Sequence, residues 1–338
     1  MSDPWEAIRA TADGPAQAIR WACVLEATAP KVGNVFPGRP FDDLTHGGLL
    51  QAAEAAAEWL PRPDLPLGTR IRRAVEASVG RTGTNANLGI LLLLGPLVAG
   101  EGQIRGGPGP EVGPGLDHGP GLDHGPGLDH GPDPGGDAGL SGDPGLGHEA
   151  WRDGVVRVLS GLGPEDGAEV IRAIRAAGAG GLGEVDEMDV HDPASEVDTD
   201  LLAAMRSAAD RDRIARQYAC GFADLFRHVV PLVDGAIRER GDVLGGIGLA
   251  QLRLLAGQPD TLIARRHGLG VALEVQRQAM GVDPNDAAAV WAWDRQLRGF
   301  RPRRNPGTTA DLIAAALYVL IRSPTIPARS MSRPGGTD

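Results

Sequence analysis

Apolar residues recur at three- and four-residue spacing through nearly all of this 338-residue chain, and no alternating run of β-branched residues exceeds a few positions. Such periodicity belongs to helices that bury one face, whereas half-buried strands need strict alternation. Only 4% of residues are aromatic, which removes a second mark of strands. The spacing predicts helices over about 16–28, 49–60, 67–80, 86–95, 149–160, 165–177, 199–217, 219–239, 242–256, 270–280, 286–298 and 309–322. We expect an all-α, multi-helical single globular domain of roughly a dozen helices joined by Gly/Pro turns.

One segment departs from this pattern. Residues 101–150 hold 17 of the 50 glycines and 8 of the 27 prolines, with nine acidic residues against one arginine. Inside it the hexapeptide Gly-Pro-Gly-Leu-Asp-His occurs three times unchanged, at 113–118, 119–124 and 125–130. A repeat of that composition buries too little apolar area to offset chain entropy. The expectation is a disordered insert over 101–148 within one helical domain, whose parts are 1–100 and 149–325, and a disordered tail at 326–338. His118, His124 and His130 could capture a metal, but a repeat-expanded, disordered surface loop is the reading that the composition favours.

Most of the formal charge of −11 resides in that insert, so the remainder is close to neutral and has no dense basic stretch. This excludes a dedicated nucleic-acid binder, which needs clustered Lys and Arg to displace phosphate counterions. The longest apolar run, Leu88 to Ala99, is twelve residues and contains Pro96, whereas a membrane span needs about 20. The start (Met1-Ser2-Asp3-Pro4-Trp5-Glu6) lacks the basic and apolar regions of a signal peptide. Cys23 and Cys220 alone make neither a disulfide scaffold nor a thiolate zinc site. A cytoplasmic protein is expected.

Of the 33 basic residues only Lys31 is a lysine, and asparagine is confined to Asn34, Asn85, Asn87, Asn285 and Asn305. A composition that favours Arg, Ala, Gly and Pro so strongly singles out the lysine and asparagines that persist. Several of them fall in polar segments between the helices. In the first, Glu26 to Val35, a helix ends at Pro30 and a rigid loop presents Lys31 and Asn34, where a lysine can act as a point charge for phosphate or simply cap a helix. In the second, Asp42, Asp43 and His46 head an Ala-rich helix and suit either the helix dipole or Mg²⁺. In the third, Thr84 is a candidate N-cap, and Asn85 and Asn87 could hydrogen-bond phosphate or ribose.

The fourth pairs an acidic stretch, Glu184 to Asp192, with Asp260-Thr261 and the basic turn Arg265-Arg266-His267. The carboxylates suit hard cations or a solvated loop, and the basic turn could hold an anionic substrate or complement a helix C-terminus. In the last, Asn305-Pro-Gly-Thr308-Thr309-Ala-Asp311 opens the C-terminal helix, with Thr308 and Asp311 in a capping pattern that is compatible with a phosphate cradle.

In this order the segments resemble the triphosphoribosyl-dephospho-CoA synthase family. Its early Glu…Thr-Pro-Lys-Pro-Gly motif matches Glu26 and Ala29-Pro30-Lys31-Val32-Gly33. Its Asn-Thr-His-Lys-Gly motif falls on Asn85-Ala86-Asn87-Leu88-Gly89, and its Asp-Thr-Asn…Arg-Gly-Gly segment on Asp260-Thr261-Leu262 and Arg265 to Gly268. Its Ser-Pro-Gly-Gly-Ser-Ala-Asp-Leu-Leu-Ala element is close to Asn305 through Ala314, the most specific match.

The resemblance implies an all-α enzyme that moves the 5-triphosphoribosyl group of ATP to the 2′-hydroxyl of dephospho-CoA or a related acceptor, releasing adenine. As in glycoside chemistry, a cationic centre develops at the ribosyl carbon and a carboxylate takes the acceptor proton. The resemblance implies Glu184 or Asp260 as that base. It implies Lys31, Asn34, Thr84, Asn85, Asn87, Arg265, Arg266, Asn305, Thr308 and Thr309 around the nucleotide, and Asp42, Asp43 and Asp311 as ligands for Mg²⁺. A Mg²⁺-dependent nucleotide or ADP-ribose hydrolase and a non-catalytic helical nucleotide-binding protein are the competing readings.

Overall fold

The computed structural model describes residues 3–105, 144–178 and 200–323. These form fifteen α-helices: α1 (Glu6–Thr11), α2 (Pro15–Thr28), α3 (His46–Trp59), α4 (Leu67–Thr82), α5 (Leu88–Arg105), α6 (Pro144–Ser160), α7 (Pro164–Ala176), α8 (Leu201–Ala208), α9 (Arg213–Ala219), α10 (Val230–Arg240), α11 (Val243–Gly257), α12 (Thr261–His267), α13 (Leu269–Gly281), α14 (Ala287–Gly299) and α15 (Gly307–Arg322). A single π turn, Leu225–Val229, leads into α10. The only extended pairing among the described residues is an isolated bridge between Phe36 and Arg39. The all-α expectation holds.

Helix α15 is the axis. It is buried from Thr308 through Ile321 save for Asp311, and it packs against α2, α5, α10 and α11. Pairings α2 on α3, α3 on α4 and α4 on α7 build outward from it. A second, smaller apolar cluster joins α11 to α12, α13 and α14 and takes in Val32 from the loop after α2. No helix among the described residues is long and apolar enough to cross a membrane.

The expected insert is narrower than its composition suggested, because α5 reaches Arg105 and α6 begins at Pro144. These two helices pack on each other at a pair of glycines: a Cβ at Gly154 would lie 2.5 Å from the Gly100 carbonyl oxygen. Residues on both sides of the gap contribute to one core. The remaining residues of the predicted insert and tail lie outside the described ones, as do His118, His124 and His130.

Helix α5 also runs through Pro96, where the periodicity had predicted an end near 95. Proline cannot donate to the carbonyl four residues back. Tyr218 supplies the missing donor, its hydroxyl bonding to the Leu92 carbonyl at 2.7 Å. The predicted helix over 199–217 is in fact two, because Asp212 caps α9 by accepting from the Ile214 amide. A side-chain cap satisfies the free amides of a new helix and so fixes the break.

Candidate active site

The loops at the start of α12 and α15 are joined through one carboxylate. Asp260 Oδ1 accepts from the amides of Leu262 (3.0 Å) and Ile263 (3.1 Å), which caps α12. Its Oδ2 accepts from the Thr309 amide and hydroxyl, both at 2.8 Å, which caps α15. Burial raises its pKa and these four bonds oppose the rise. Asp260, expected as a base, thus uses its acceptor capacity to hold two helices together. The Thr309 amide that might have cradled phosphate is spent on it.

Thr308 and Thr309 are buried accordingly. The Thr261 hydroxyl donates to Thr308 Oγ1 at 3.1 Å and accepts from the Arg213 amide at 3.2 Å, which brings the start of α9 to the same place. There Asp212 caps α9 with one oxygen and pairs with the Arg265 guanidinium through the other. Arg265 Nε is buried with no hydrogen-bond partner among the described residues. Arg266 is exposed.

Asp311 occupies the first turn of α15. Its carboxylate lies against Gly89 at the head of α5, and a Cβ at that glycine would come 2.0 Å from Oδ2. Burial pushes the Asp311 carboxyl well above the usual carboxylate range; Glu26 and Asp260 add to this, Arg265 opposes it, and Asp212 contributes further. Among the described residues nothing hydrogen-bonds or ion-pairs with it, unlike the neighbouring carboxylates.

Lys31 is turned inward rather than presented. It is fully buried, pairs with Glu26 at 3.0 Å and donates to the Glu26 carbonyl. The predicted phosphate contact is thus replaced by a buried ion pair that anchors the end of α2. Asn34 is likewise buried: it donates to Asn305 Oδ1 at 2.7 Å and accepts from Gln251 at 2.6 Å. Asn87 joins α3 and α4 through the Ala52 carbonyl and the Ser78 hydroxyl. Thr84 does not cap α5; Asn85, exposed, accepts from the Leu88 amide instead.

Asp42 and Asp43 precede α3 and pair with Arg303 at 3.2 and 2.5 Å. Their side chains are 85% and 63% exposed and turn to Arg303, not to Asp311. No group of three or more metal-ligating side chains occurs among the described residues. The described carboxylates by themselves therefore do not make up a donor set for a resident Mg²⁺. Glu184 and the rest of its acidic stretch lie outside the described residues.

Four of the five predicted segments thus meet: Glu26 with Lys31, Gly89, the turn from Asp260 to Arg265, and Asn305 through Asp311. Sequence reasoning missed Asp212, Gln251 and Asp294. Asp212 was signalled by an Asp ahead of an amphipathic stretch, and Gln251 by being polar within the apolar α11.

Fold and site define an all-helical protein whose loops gather several carboxylates and an arginine at the heads of α5, α9, α12 and α15. A family model described as ATP:dephospho-CoA triphosphoribosyl transferase (CitG) matches residues 12–326, and the chain belongs to that family. Its activity is the transfer of the triphosphoribosyl group of ATP to dephospho-CoA. The crystal structure of a candidate triphosphoribosyl-dephospho-CoA synthase from Archaeoglobus fulgidus superposes with a TM-score of 0.52 at 18% identity, over 81% of this chain and 96% of that one, which supports the fold. No curated protein matches the sequence.

Proposed function

We propose that Asp311 is the carboxylate that takes the proton of the acceptor hydroxyl while the ribosyl carbon of ATP is transferred. The observation that carries this is that Asp311, alone among the carboxylates of the cluster, has neither a hydrogen bond nor an ion pair among the described residues, within a site built by four separate segments. A carboxyl raised toward neutrality is a better proton acceptor than an ordinary one. The anionic surroundings of Glu26, Asp212, Asp260 and Asp311 also favour a cationic, oxocarbenium-like ribosyl centre.

In this reading the bond from C1′ to the adenine nitrogen breaks, with the electron pair leaving on adenine. The 2′-oxygen of the acceptor forms the new bond to C1′. Its proton passes to Asp311, and the departing adenine takes up a proton, so none is consumed overall. Arg266, which is exposed, and Arg265, whose Nε lacks a partner although its Nη1 pairs with Asp212, are the cations offered to the triphosphate, because Lys31 is fully buried against Glu26. Any divalent ion enters with the triphosphate as part of the substrate.

Incubation with ATP, Mg²⁺ and dephospho-CoA, with chromatography of adenine and mass measurement of the acceptor, tests the reading. Adenine released only with the acceptor, together with an acceptor heavier by one triphosphoribosyl group, supports it. Adenine released without acceptor replaces it with a hydrolase. No adenine under either condition overturns it.

A further inference from the structure

A second feature lies outside the carboxylate cluster. A cleft of about 270 Å³ opens between the loop Gly38–Asp42 and the segment after Leu297, and four arginines line it: Arg39, Arg298, Arg301 and Arg303. Two of them are held by one buried carboxylate, Asp294, which Arg39 meets at 2.5 Å and Arg298 at 2.8 Å. Arg303 is held by exposed Asp42 and Asp43. Arg301 makes hydrogen bonds only to the carbonyls of Arg298 and Phe300 and has no carboxylate partner among the described residues. Arg39 Nε is buried with no hydrogen-bond partner among the described residues.

Aromatic rings lie against three of these four guanidiniums. Arg303 stacks 4.3 Å from the Phe41 ring centre, Arg298 lies over both Phe36 and Phe41, and Arg39 over Trp291. A guanidinium lying over a ring presents its N–H groups at the edge, and where that edge is held only by an exposed carboxylate, as in Arg303 with Asp42, it can exchange that partner for phosphate oxygens in a bidentate manner. The cleft is smaller than the roughly 300–1,000 Å³ of a site that encloses a whole drug-sized ligand, so it fits a charged portion of one. It shares a wall with the carboxylate cluster: the Asn34 carbonyl accepts from Arg298, and the Asn34 side chain holds Asn305 at the approach to α15.

We infer that this arginine cleft is a second anion site that binds the diphosphate of the acceptor. The inference rests on the transferase reading, in which two phosphorylated substrates must be held side by side while Arg265 and Arg266 serve the triphosphate. The diphosphate bridges Arg301 and Arg303 and displaces Asp42, whose exposed pair with Arg303 contributes little.

Three titrations of the full chain test it, with the parent and the variants Arg301→Glu and Arg303→Ala. Dephospho-CoA and ATP are titrated separately, and inorganic pyrophosphate is titrated into protein already saturated with ATP. Each variant is expected to weaken dephospho-CoA and pyrophosphate by about tenfold or more, the loss of a charge-assisted contact, with ATP affinity unchanged. Weakened ATP binding would assign the cleft to the triphosphate and overturn the inference. Unchanged pyrophosphate binding in both variants would overturn it also. Failure of dephospho-CoA to act as acceptor, with pyrophosphate binding still lost in the variants, would sink the acceptor identity while leaving the anion site standing.

Discussion

The Asp311 carboxylate rests against the backbone of Gly89, closely enough that any β-carbon there would stand 2.0 Å from its Oδ2. Two sequence segments more than two hundred residues apart are therefore locked into one geometry by the absence of a side chain. Gly89→Ala should push Asp311 off its position or tilt α5. We expect kcat/KM to fall at least about tenfold, and stability to fall by about 1–3 kcal/mol from overpacking. Steady-state adenine release and thermal melting measure the two; full activity in Gly89→Ala would remove Asp311 from the reaction.

Asp311→Asn separates chemistry from stability. Removing a general base costs about 10²–10⁴ in rate. The folded pKa lies above the unfolded value of about 3.9, so the native state prefers the protonated form. That preference contributes fully below the unfolded pKa and is lost as pH rises through the raised native one. Asparagine resembles the protonated acid at every pH. The variant should therefore match the parent in acid and become the more stable of the two as pH rises, in denaturant titrations without nucleotide. A gap that widens toward acid would contradict the assigned direction.

The buried pair of Lys31 and Glu26 predicts an asymmetric mutational response. Lys31→Ala leaves an unpaired buried carboxylate and should cost about 3–5 kcal/mol. Combining Lys31→Met with Glu26→Gln removes both charges and should recover much of that loss. Equal damage in the single and the double variant would mean that the pair is not the anchor.

Asp260 and Thr309 should behave as one unit. If Asp260 acts by holding α12 and α15 together, Asp260→Asn and Thr309→Val will be strongly non-additive in stability, with a coupling of about 0.5–3 kcal/mol in a double-mutant cycle. Independent effects, with activity lost in Asp260→Asn at unchanged stability, would return Asp260 to the role of base.

Tyr218→Phe tests how α5 tolerates Pro96. The substitution leaves the Leu92 carbonyl buried without a donor, a loss of about 1–3 kcal/mol with little effect on substrate affinity. Calorimetry and nucleotide titration together report both.

The helices were legible because burial of one face imposes a local repeat, and most boundaries fell close to those the spacing predicted. The exceptions depend on groups far away in the chain. The periodicity around Pro96 says nothing of the tyrosine that completes α5, and the run over 199–217 carries no sign that Asp212 will divide it. The site shows the same division. Asp311, Asn305 and Asp260 stand out in sequence because polar residues at helix starts are visible locally. Whether such a residue is exposed, capped or ion-paired is decided by tertiary contact. Thus Lys31, conspicuous as the one lysine, proved to be a buried anchor, and Asp42 and Asp43 turned to Arg303.

The glycine contact between α5 and α6 has a genetic corollary. It ties both ends of residues 106–143 to the same pair of packed helices, on scaffolding that the intervening codons do not encode. The three hexapeptide copies at 113–130 lie wholly between those fastening points, so a change in their number alters neither Gly100 nor Gly154.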